Sequence, residues 1–304
     1  MVNDVKQIIE KIDGNGTWSV KLLKIHTSTR EGLSYMAREI NMSPHDQLKF
    51  HVEDLRARYV GQQNEIGKFN AVTEYDGTTD ATTIYTLNCE SDLIKDSYIM
   101  LMDALANADH ESDAFKEKYS AYVISGTVEN KPIYIFSMAS PFVNMKRKFI
   151  SLDNSTFTRI DKPVLSLRLS FDVVIYDNKV YMFTMAAENL FNMDRAYKAV
   201  CANCIEGIVY SGILIETDIF KKVASSGSNP RRFVSYNSNY LERLRNKKTR
   251  ERIGKKFDIP MKDGLFDTEQ DGAADKIVKL LCKKGMVDPF DDTAVEVSGS
   301  KKWS

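Results

Sequence analysis

The sequence has few cysteines, no long apolar run and no net charge. Its four cysteines stand at irregular spacing and provide no disulfide framework. No segment approaches the roughly 18 uncharged apolar residues that a membrane-spanning helix needs, and no basic-then-apolar leader begins the sequence. We therefore expect a cytoplasmic protein in a reducing compartment, for which any membrane association would have to come through a partner.

Short catalytic motifs are also absent. The sequence contains no Walker-type glycine loop, no H-E-x-x-H, no G-x-S-x-G elbow and no G-x-G-x-x-G after a strand. Cys201 and Cys204 have the spacing of half a zinc site, but no other cysteine or histidine lies at an interval that would complete it. We expect no metal and no cofactor, and we interpret the two cysteines as small residues of a helix.

Two strand-turn-strand units dominate the middle of the chain. Residues 171–176 and 180–185 are rich in β-branched and aromatic residues and flank the polar turn Asp177-Asn178-Lys179. Residues 119–128 and 132–138 form a similar unit around Asn130-Lys131. The likeness indicates either a repeat, with both hairpins in one sheet, or a chance similarity between apolar strands.

Apolar spacing predicts helices around these units, over residues 5–12, 30–40, 93–105, 273–284 and a segment after Phe191. Thr29 is the expected cap of the second helix. The third should bury Leu93, Ile94, Ile99, Met100, Met102 and Leu105. The predicted fold class is α+β, with a mainly antiparallel sheet built on the two hairpin units. We expect an acidic N-terminal α+β domain (1–118) and a C-terminal domain (119–304) with the hairpin units, a basic helix and a helical cap.

Charge is strongly segregated along the chain. Residues 1–130 carry 13 Lys and Arg against 21 Asp and Glu, residues 131–256 carry 22 against 11, and residues 257–304 carry 7 against 10. The three parts therefore have net charges of −8, +11 and −3. Such asymmetry indicates a polyanion-binding face in the middle part, or association between the oppositely charged parts.

The densest basic segment follows the flexible loop 225–230. Between residues 231 and 256 there are ten basic side chains and two acidic ones. We predict one helix over residues 240–257, docked through Leu241, Leu244, Ile253 and Phe257 and exposing its cations. Phe233, Tyr236 and Tyr240 could stack on bases or be packed inside the protein.

Several cations on one helix can neutralise DNA phosphates and release counterions, which gives salt-sensitive binding without sequence preference. The candidate DNA contacts are Arg231, Arg232, Arg243, Arg245, Lys247, Lys248, Arg250, Arg252, Lys255, Lys256 and the separate triplet Lys146, Arg147 and Lys148. The alternative is a structural adaptor, in which this face is solvated or pairs with the acidic part of another copy.

A metal-dependent nuclease is a second alternative, since the Asp…acidic-x-Lys pattern occurs twice. Asp113 precedes the Glu-Asn-Lys triplet 129–131, and Asp172 precedes the Asp-Asn-Lys triplet 177–179. Both triplets fall on predicted hairpin turns, where carboxylates would not converge on a metal held by a sheet. The main hypothesis is therefore a protein that binds DNA without cleaving it.

The chain also resembles a known family over roughly residues 120–304. The resemblance is carried by Tyr181-Met-Phe-Thr-Met with Glu188 and Phe191, the basic helix, the helix Ile277 to Leu281, and the closing Asp288-Pro-Phe, Val295 and Lys301-Lys302. These features look like KwaB, the B subunit of the Kiwa anti-phage defence system. The resemblance implies a cytosolic, homodimeric, DNA-binding protein that works with a membrane-embedded KwaA-like subunit. It supplies no catalytic motif.

Overall fold

The computed structural model describes residues 2–28, 32–40, 45–109, 119–138, 150–153, 156–159, 170–288 and 293–297. The strands are β1 (Ser19–Ser28), β2 (Gly32–Ile40), β3 (Ala71–Glu74), β4 (Thr83–Asn88), β5 (Ala121–Val128), β6 (Lys131–Met138), β7 (Ile150–Asp153), β8 (Thr156–Arg159), β9 (Val173–Tyr176), β10 (Lys179–Met182), β11 (Met261–Lys262), β12 (Leu265–Phe266), β13 (Gly285–Val287) and β14 (Ala294–Glu296). The helices are α1 (Val2–Glu10), α2 (His45–Val60), α3 (Lys95–Ala106), α4 (Ala186–Leu190), α5 (Met193–Tyr210), α6 (Thr217–Ala224), α7 (Asn229–Arg232), α8 (Ser238–Arg245), α9 (Lys247–Lys256) and α10 (Ala273–Leu281), with short 3-10 helices at Glu65–Lys68 and Phe233–Ser235.

Eight strands form one sheet in the order β2-β1-β5-β6-β9-β10-β4-β3. Neighbouring strands are antiparallel, except that β3 and β4 run parallel. β7 with β8, β11 with β12, and β13 with β14 form separate two-stranded sheets. The expected α+β class with a mainly antiparallel sheet is confirmed.

Both predicted hairpins are present and lie side by side in this sheet. β5 and β6 are joined through Glu129 and Asn130, with φ of 50° and 63°, and β9 and β10 through Asp177 and Asn178, with φ of 51° and 60°. Positive φ at both central residues is typical of the type I′ turn, whose twist matches that of a hairpin. Because β6 pairs with β9, the two similar units share one sheet.

The described residues fall into two compact units. Unit 1 comprises Met1–Glu74 and Ala81–Asn192, and unit 2 comprises Tyr75–Asp80 and Met193–Ser304. The parts expected as domains 1–118 and 119–304 both contribute to the sheet, since β1 pairs with β5.

The core of unit 1 lies between the sheet and the helices α1 and α2. Val5 and Ile9 of α1 and Leu55 of α2 are buried in one cluster with strand residues such as Tyr122 and Ile135. These apolar positions alternate along the strands, as expected for a sheet packed against helices.

The helix expected over residues 30–40 is wrong, because Gly32–Ile40 is the strand β2. It pairs with β1 along its whole length, from Ser28 opposite Gly32 to Val20 opposite Ile40. This pairing buries Ala37 opposite Leu23. The tertiary gain from sheet pairing therefore outweighs the local helical spacing.

The third predicted helix exists, but its buried side is partly wrong. α3 buries Leu101 and Leu105, and Ile94 is buried just before its first residue. Ile99 and Met100 are instead 56% and 40% exposed. At 3.6 residues per turn, residues 94, 101 and 105 share one side of the helix, whereas residues 99 and 100 lie on other sides.

Unit 2 is mainly helical and has its own apolar cluster. Ile205 and Ile208 of α5, Phe220 of α6, Leu244 of α8 and Ile277 of α10 are among its members. The segment Tyr75–Asp80 also belongs to this unit, and Asp76 pairs at 3.6 Å with the buried Lys284. Within the described ranges, no helix is both long and apolar enough to span a membrane.

Candidate nucleic-acid interface

The basic segment forms two helices, so the expectation of one helix over residues 240–257 is wrong. The break is at Asn246, whose backbone is extended (φ −73°, ψ 120°). The Asn246 side chain accepts a hydrogen bond from the Thr249 backbone N–H at 3.1 Å. Asparagine is a favoured N-cap residue, so this position was the sequence signal for a second helix start.

The first of these helices, α8, docks as predicted. Leu241 and Leu244 are buried, and the Asn237 side chain caps the helix by accepting a hydrogen bond from the Asn239 backbone N–H at 3.0 Å. This apolar pair, about one turn apart, belongs to the apolar cluster of unit 2.

The second helix, α9, is held by a buried arginine. Arg250 is only 7% exposed. Its Nε donates to the Gly264 carbonyl at 2.6 Å, and its Nη1 donates to the carbonyls of Leu244 and Arg245 at 2.7 and 3.2 Å. Arg250 thus ties α9 to the end of α8 and to the β11–β12 turn. The prediction of Arg250 as a DNA contact is therefore wrong, because its guanidinium is buried and bonded to carbonyls.

The acceptor in that turn is positioned by the turn's own geometry. Asp263 and Gly264 join β11 to β12 with φ of 54° and 79°. Aspartate followed by glycine favours such a turn, since both central residues need positive φ. The β11–β12 hairpin therefore serves as a fixed support for the start of α9.

Opposite Arg250, three cations form a row on the solvent side of α9. Lys248, Arg252 and Lys255 are exposed, and none forms an ion pair with another residue that the structure describes. Their spacing of four and three residues places them on one face of the helix, over about 10 Å along its axis. We call these three residues the cationic row.

Other predicted contacts flank this row with part of their charge compensated. Arg245 pairs with Glu242 at 3.2 Å and Lys247 with Glu251 at 3.9 Å. Such exposed pairs contribute at most about 1 kcal/mol, so a phosphate can displace the carboxylate. Arg243 is exposed, whereas Lys256 is half-buried.

Arg231 and Arg232 lie apart from the row's helix, inside a polar network of unit 2. Arg231 Nε donates to the Tyr75 hydroxyl at 2.9 Å. Arg232 pairs with Asp275 at 3.2 Å and with Glu296 at 3.5 Å. Partial burial would raise the pKa of Asp275, but hydrogen bonding to Lys279 and the charges of Lys279 and Arg232 prevail and lower it. These two arginines therefore serve the fold of unit 2.

The remaining predictions for the interface concern the triplet Lys146, Arg147 and Lys148 and three aromatic residues. The triplet lies outside the described residues. Phe233 is buried, and Tyr236 packs against it with ring centroids 6.1 Å apart. Burial raises the pKa of Tyr236 to about 12. Of the three aromatic residues considered for base stacking, Tyr240 alone reaches 36% exposure.

The nuclease alternative meets a geometric obstacle at Asp172. Its carboxylate accepts hydrogen bonds from the Met138 backbone N–H at 2.7 Å and the Thr184 hydroxyl at 2.9 Å. Asp177 lies at the other end of β9, about 16 Å away at 3.3 Å per residue, and pairs with Lys131 at 2.7 Å. Asp113 is outside the described residues. In the described part of the chain, no three His, Cys, Asp or Glu residues could hold a metal.

Cys201 and Cys204 lie on α5 within the apolar cluster of unit 2. The Cys201 thiol donates to the Ala224 carbonyl at 3.4 Å. Burial raises the pKa of both thiols to about 11, so both are protonated at neutral pH. This environment suits packing more than the reactive thiolate that redox or metal chemistry requires.

Comparison with protein families matches residues 116–284 to the family described as Kiwa protein KwaB-like. This segment contains the hairpins β5–β6 and β9–β10 and extends through α8, α9 and α10. The comparisons with curated proteins and with solved structures give no match.

Proposed function

The chain belongs to the family of KwaB-like Kiwa proteins, which implies a role in Kiwa anti-phage defence, and we propose that it performs this role by binding the phosphate backbone of DNA. The observation that carries the proposal is the cationic row on α9, with three exposed cations on one helix face. Arg243, Arg245 and Lys247 extend the positive surface from α8 to the start of α9.

The row is suited to phosphates more than to base edges. Lys248 and Lys255 offer point charges and Arg252 a planar fork, both of which bind phosphate. Because the row has no exposed aromatic residue within it, stacking on unpaired bases contributes little. The binding we propose is to duplex DNA, without sequence preference and with strong salt dependence.

The test is the affinity for a short duplex at increasing salt, measured by fluorescence anisotropy. We expect the triple variant Lys248→Glu, Arg252→Glu and Lys255→Glu to weaken binding and to reduce the slope of log K against log salt by about three. An unchanged affinity and slope in this variant would overturn the proposal.

A matched control lies on α5 and α6. Lys198, Lys221 and Lys222 are also exposed cations of unit 2, and reversing all three to glutamate changes the net charge by the same amount. We expect this control to retain most of the affinity. Equal loss of DNA affinity in both triple variants would show that affinity depends only on net charge, and it would contradict a specific role of the cationic row.

We further propose that binding leaves the DNA intact. Supercoiled plasmid incubated with the protein and Mg²⁺ or Mn²⁺ should keep its topology, whereas nicking or linearisation would favour the nuclease alternative.

Family membership also supports a homodimer in the cytoplasm that is recruited by a membrane-embedded KwaA-like subunit. Fractionation tests this, since the protein should sediment with membranes only when that subunit is present. Sedimentation with membranes in its absence would contradict recruitment.

A further inference from the structure

Helix α3 of unit 1 presents an apolar centre flanked by acidic residues. Ile99 and Met100 are 56% and 40% exposed, which is high for large apolar side chains. Asp96 and Asp103 are exposed on the same side, three or four residues away from them. We call these four residues the α3 face.

The two carboxylates of this face are available for a partner. Neither Asp96 nor Asp103 forms an ion pair with another described residue, although Asp103 accepts a hydrogen bond from the Asn107 side chain at 3.0 Å. Apolar side chains surrounded by charges of one sign fit a partner surface of the opposite sign that also carries aliphatic groups.

The cationic row has the matching spacing and chemistry. Asp96 and Asp103 are seven residues apart, as are Lys248 and Lys255, so both charge pairs span about 10 Å on their helices. Arg252 lies between the two lysines, as Ile99 and Met100 lie between the two aspartates. The aliphatic part of an arginine side chain packs well on apolar groups while its guanidinium stays in water.

Because the two surfaces are complementary in sign and spacing, we propose that the α3 face of one copy binds the cationic row of a second copy. Two α3 faces would repel each other, as would two cationic rows, so charge selects the mixed contact. The contact uses the same cations as the DNA-binding role proposed above, and its function rests on that role. DNA and self-association therefore compete for these cations.

The contact is small, since it joins one helix face to another. Interfaces well below about 1,200 Å² of buried surface are weak and transient, and exposed charge pairs are screened by salt. Association through this contact, beyond the homodimer proposed above, is therefore expected at low salt and high protein concentration, and duplex DNA should release it.

The contact is tested by reversing the charges of each surface in separate variants. Association of the full chain is then measured by sedimentation velocity at low salt. Variant A carries Asp96→Lys and Asp103→Lys, and variant B carries Lys248→Glu and Lys255→Glu. The wild type should form species larger than the dimer, and these species should be lost in each variant alone. An equimolar mixture of A and B should associate again, because A then offers the row and B the α3 face.

The double variant Asp54→Lys and Glu74→Lys is a matched control for variant A. It replaces two other exposed acidic residues of unit 1 and changes the net charge by the same amount. This control should associate like the wild type. Loss of association in the control, or no recovery in the mixture of A and B, would overturn the proposal.

Duplex DNA provides a separate readout. It should dissociate the wild-type species, and variant A, whose row is intact, should bind DNA at least as tightly as the wild type. One outcome would be that variant A binds DNA and that the wild type associates no more than variant A does. Self-association through these surfaces would then be refuted, and the DNA-binding role would stand. If variant A and the wild type both fail to bind DNA, the proposed function is refuted.

Discussion

The neighbouring helices α8 and α9 differ in charge, with three charged residues in α8 and seven in α9, and they are held in place differently. α8 buries Leu241 and Leu244, the pair of leucines that its sequence predicts. α9 buries Arg250 and Gly254, with Ile253 only half-buried. A helix too polar to dock by apolar contact can thus be fixed by one arginine that satisfies carbonyls at the end of its neighbour.

The largest effect should come from removing the polar anchor. Arg250→Met leaves the carbonyls of Leu244, Arg245 and Gly264 without their charged donor, and we expect a loss of about 4 kcal/mol in the free energy of unfolding. Urea denaturation measures it. Arg252→Met, on the solvent side of the same helix, should cost less than about 0.5 kcal/mol. Equal costs would show that Arg250 is no anchor.

Removing the apolar anchor of α8 should cost slightly less. Leu244→Ala deletes a buried side chain and leaves a cavity, with an expected loss of about 3 kcal/mol in the same measurement. DNA affinity at a temperature where the variant is folded should change little, since Leu244 bears no charge. A cost below that of Arg252→Met would contradict the apolar docking of α8.

The cap between the two helices should have a smaller effect. Asn246→Ala removes the acceptor for the Thr249 backbone N–H, with an expected cost of about 1 kcal/mol. Asn246→Asp keeps an acceptor and should retain the wild-type stability. Equal stability of the Asn246→Ala and Asn246→Asp variants would contradict a stabilising role of the Asn246 cap.

The smallest effect concerns pH and contrasts the anchor of α9 with the ion pairs of α10. Arg250 donates to backbone carbonyls, whereas the ion pairs of α10 use the carboxylate of Asp275, whose pKa is lowered in the folded protein. Its contribution to stability is present above its ordinary pKa of about 4 and is lost as pH falls through the lower folded value. Asp275→Asn should reduce the fall in unfolding free energy between pH 5 and pH 3. An identical pH profile in the variant would contradict this.

Elements whose signals are local could be predicted from the sequence. Asp177-Asn178 and Asn130 mark hairpins because aspartate and asparagine accept positive φ more readily than most residues. Leu241 and Leu244 likewise predicted the docked side of α8. The strand β2 could not be predicted in this way, because its stability comes from pairing with β1.

The candidate site was predictable as a charge pattern but not as a surface. Ten basic residues between positions 231 and 256 announce a cationic region. Helical spacing places Arg250 on the docked side with Ile253 and puts Arg252 on the opposite side, but apolar spacing alone does not predict that an arginine is buried. The burial of Arg250 depends on the Gly264 carbonyl, which a separate hairpin brings to the start of α9. The role of each arginine thus follows from tertiary contacts.

Unit 2 is discontinuous in sequence, which affects its folding during synthesis and the stability of truncated fragments. Its segment Tyr75–Asp80 leaves the ribosome well before Met193, the first residue of the remainder. Closing such a long loop delays folding, because its entropy is lost before the contacts form. A fragment that starts at Met193 lacks Asp76, so the buried ammonium of Lys284 loses its carboxylate partner. Dissection at that point would yield a weakened fragment even though every residue after the cut is kept.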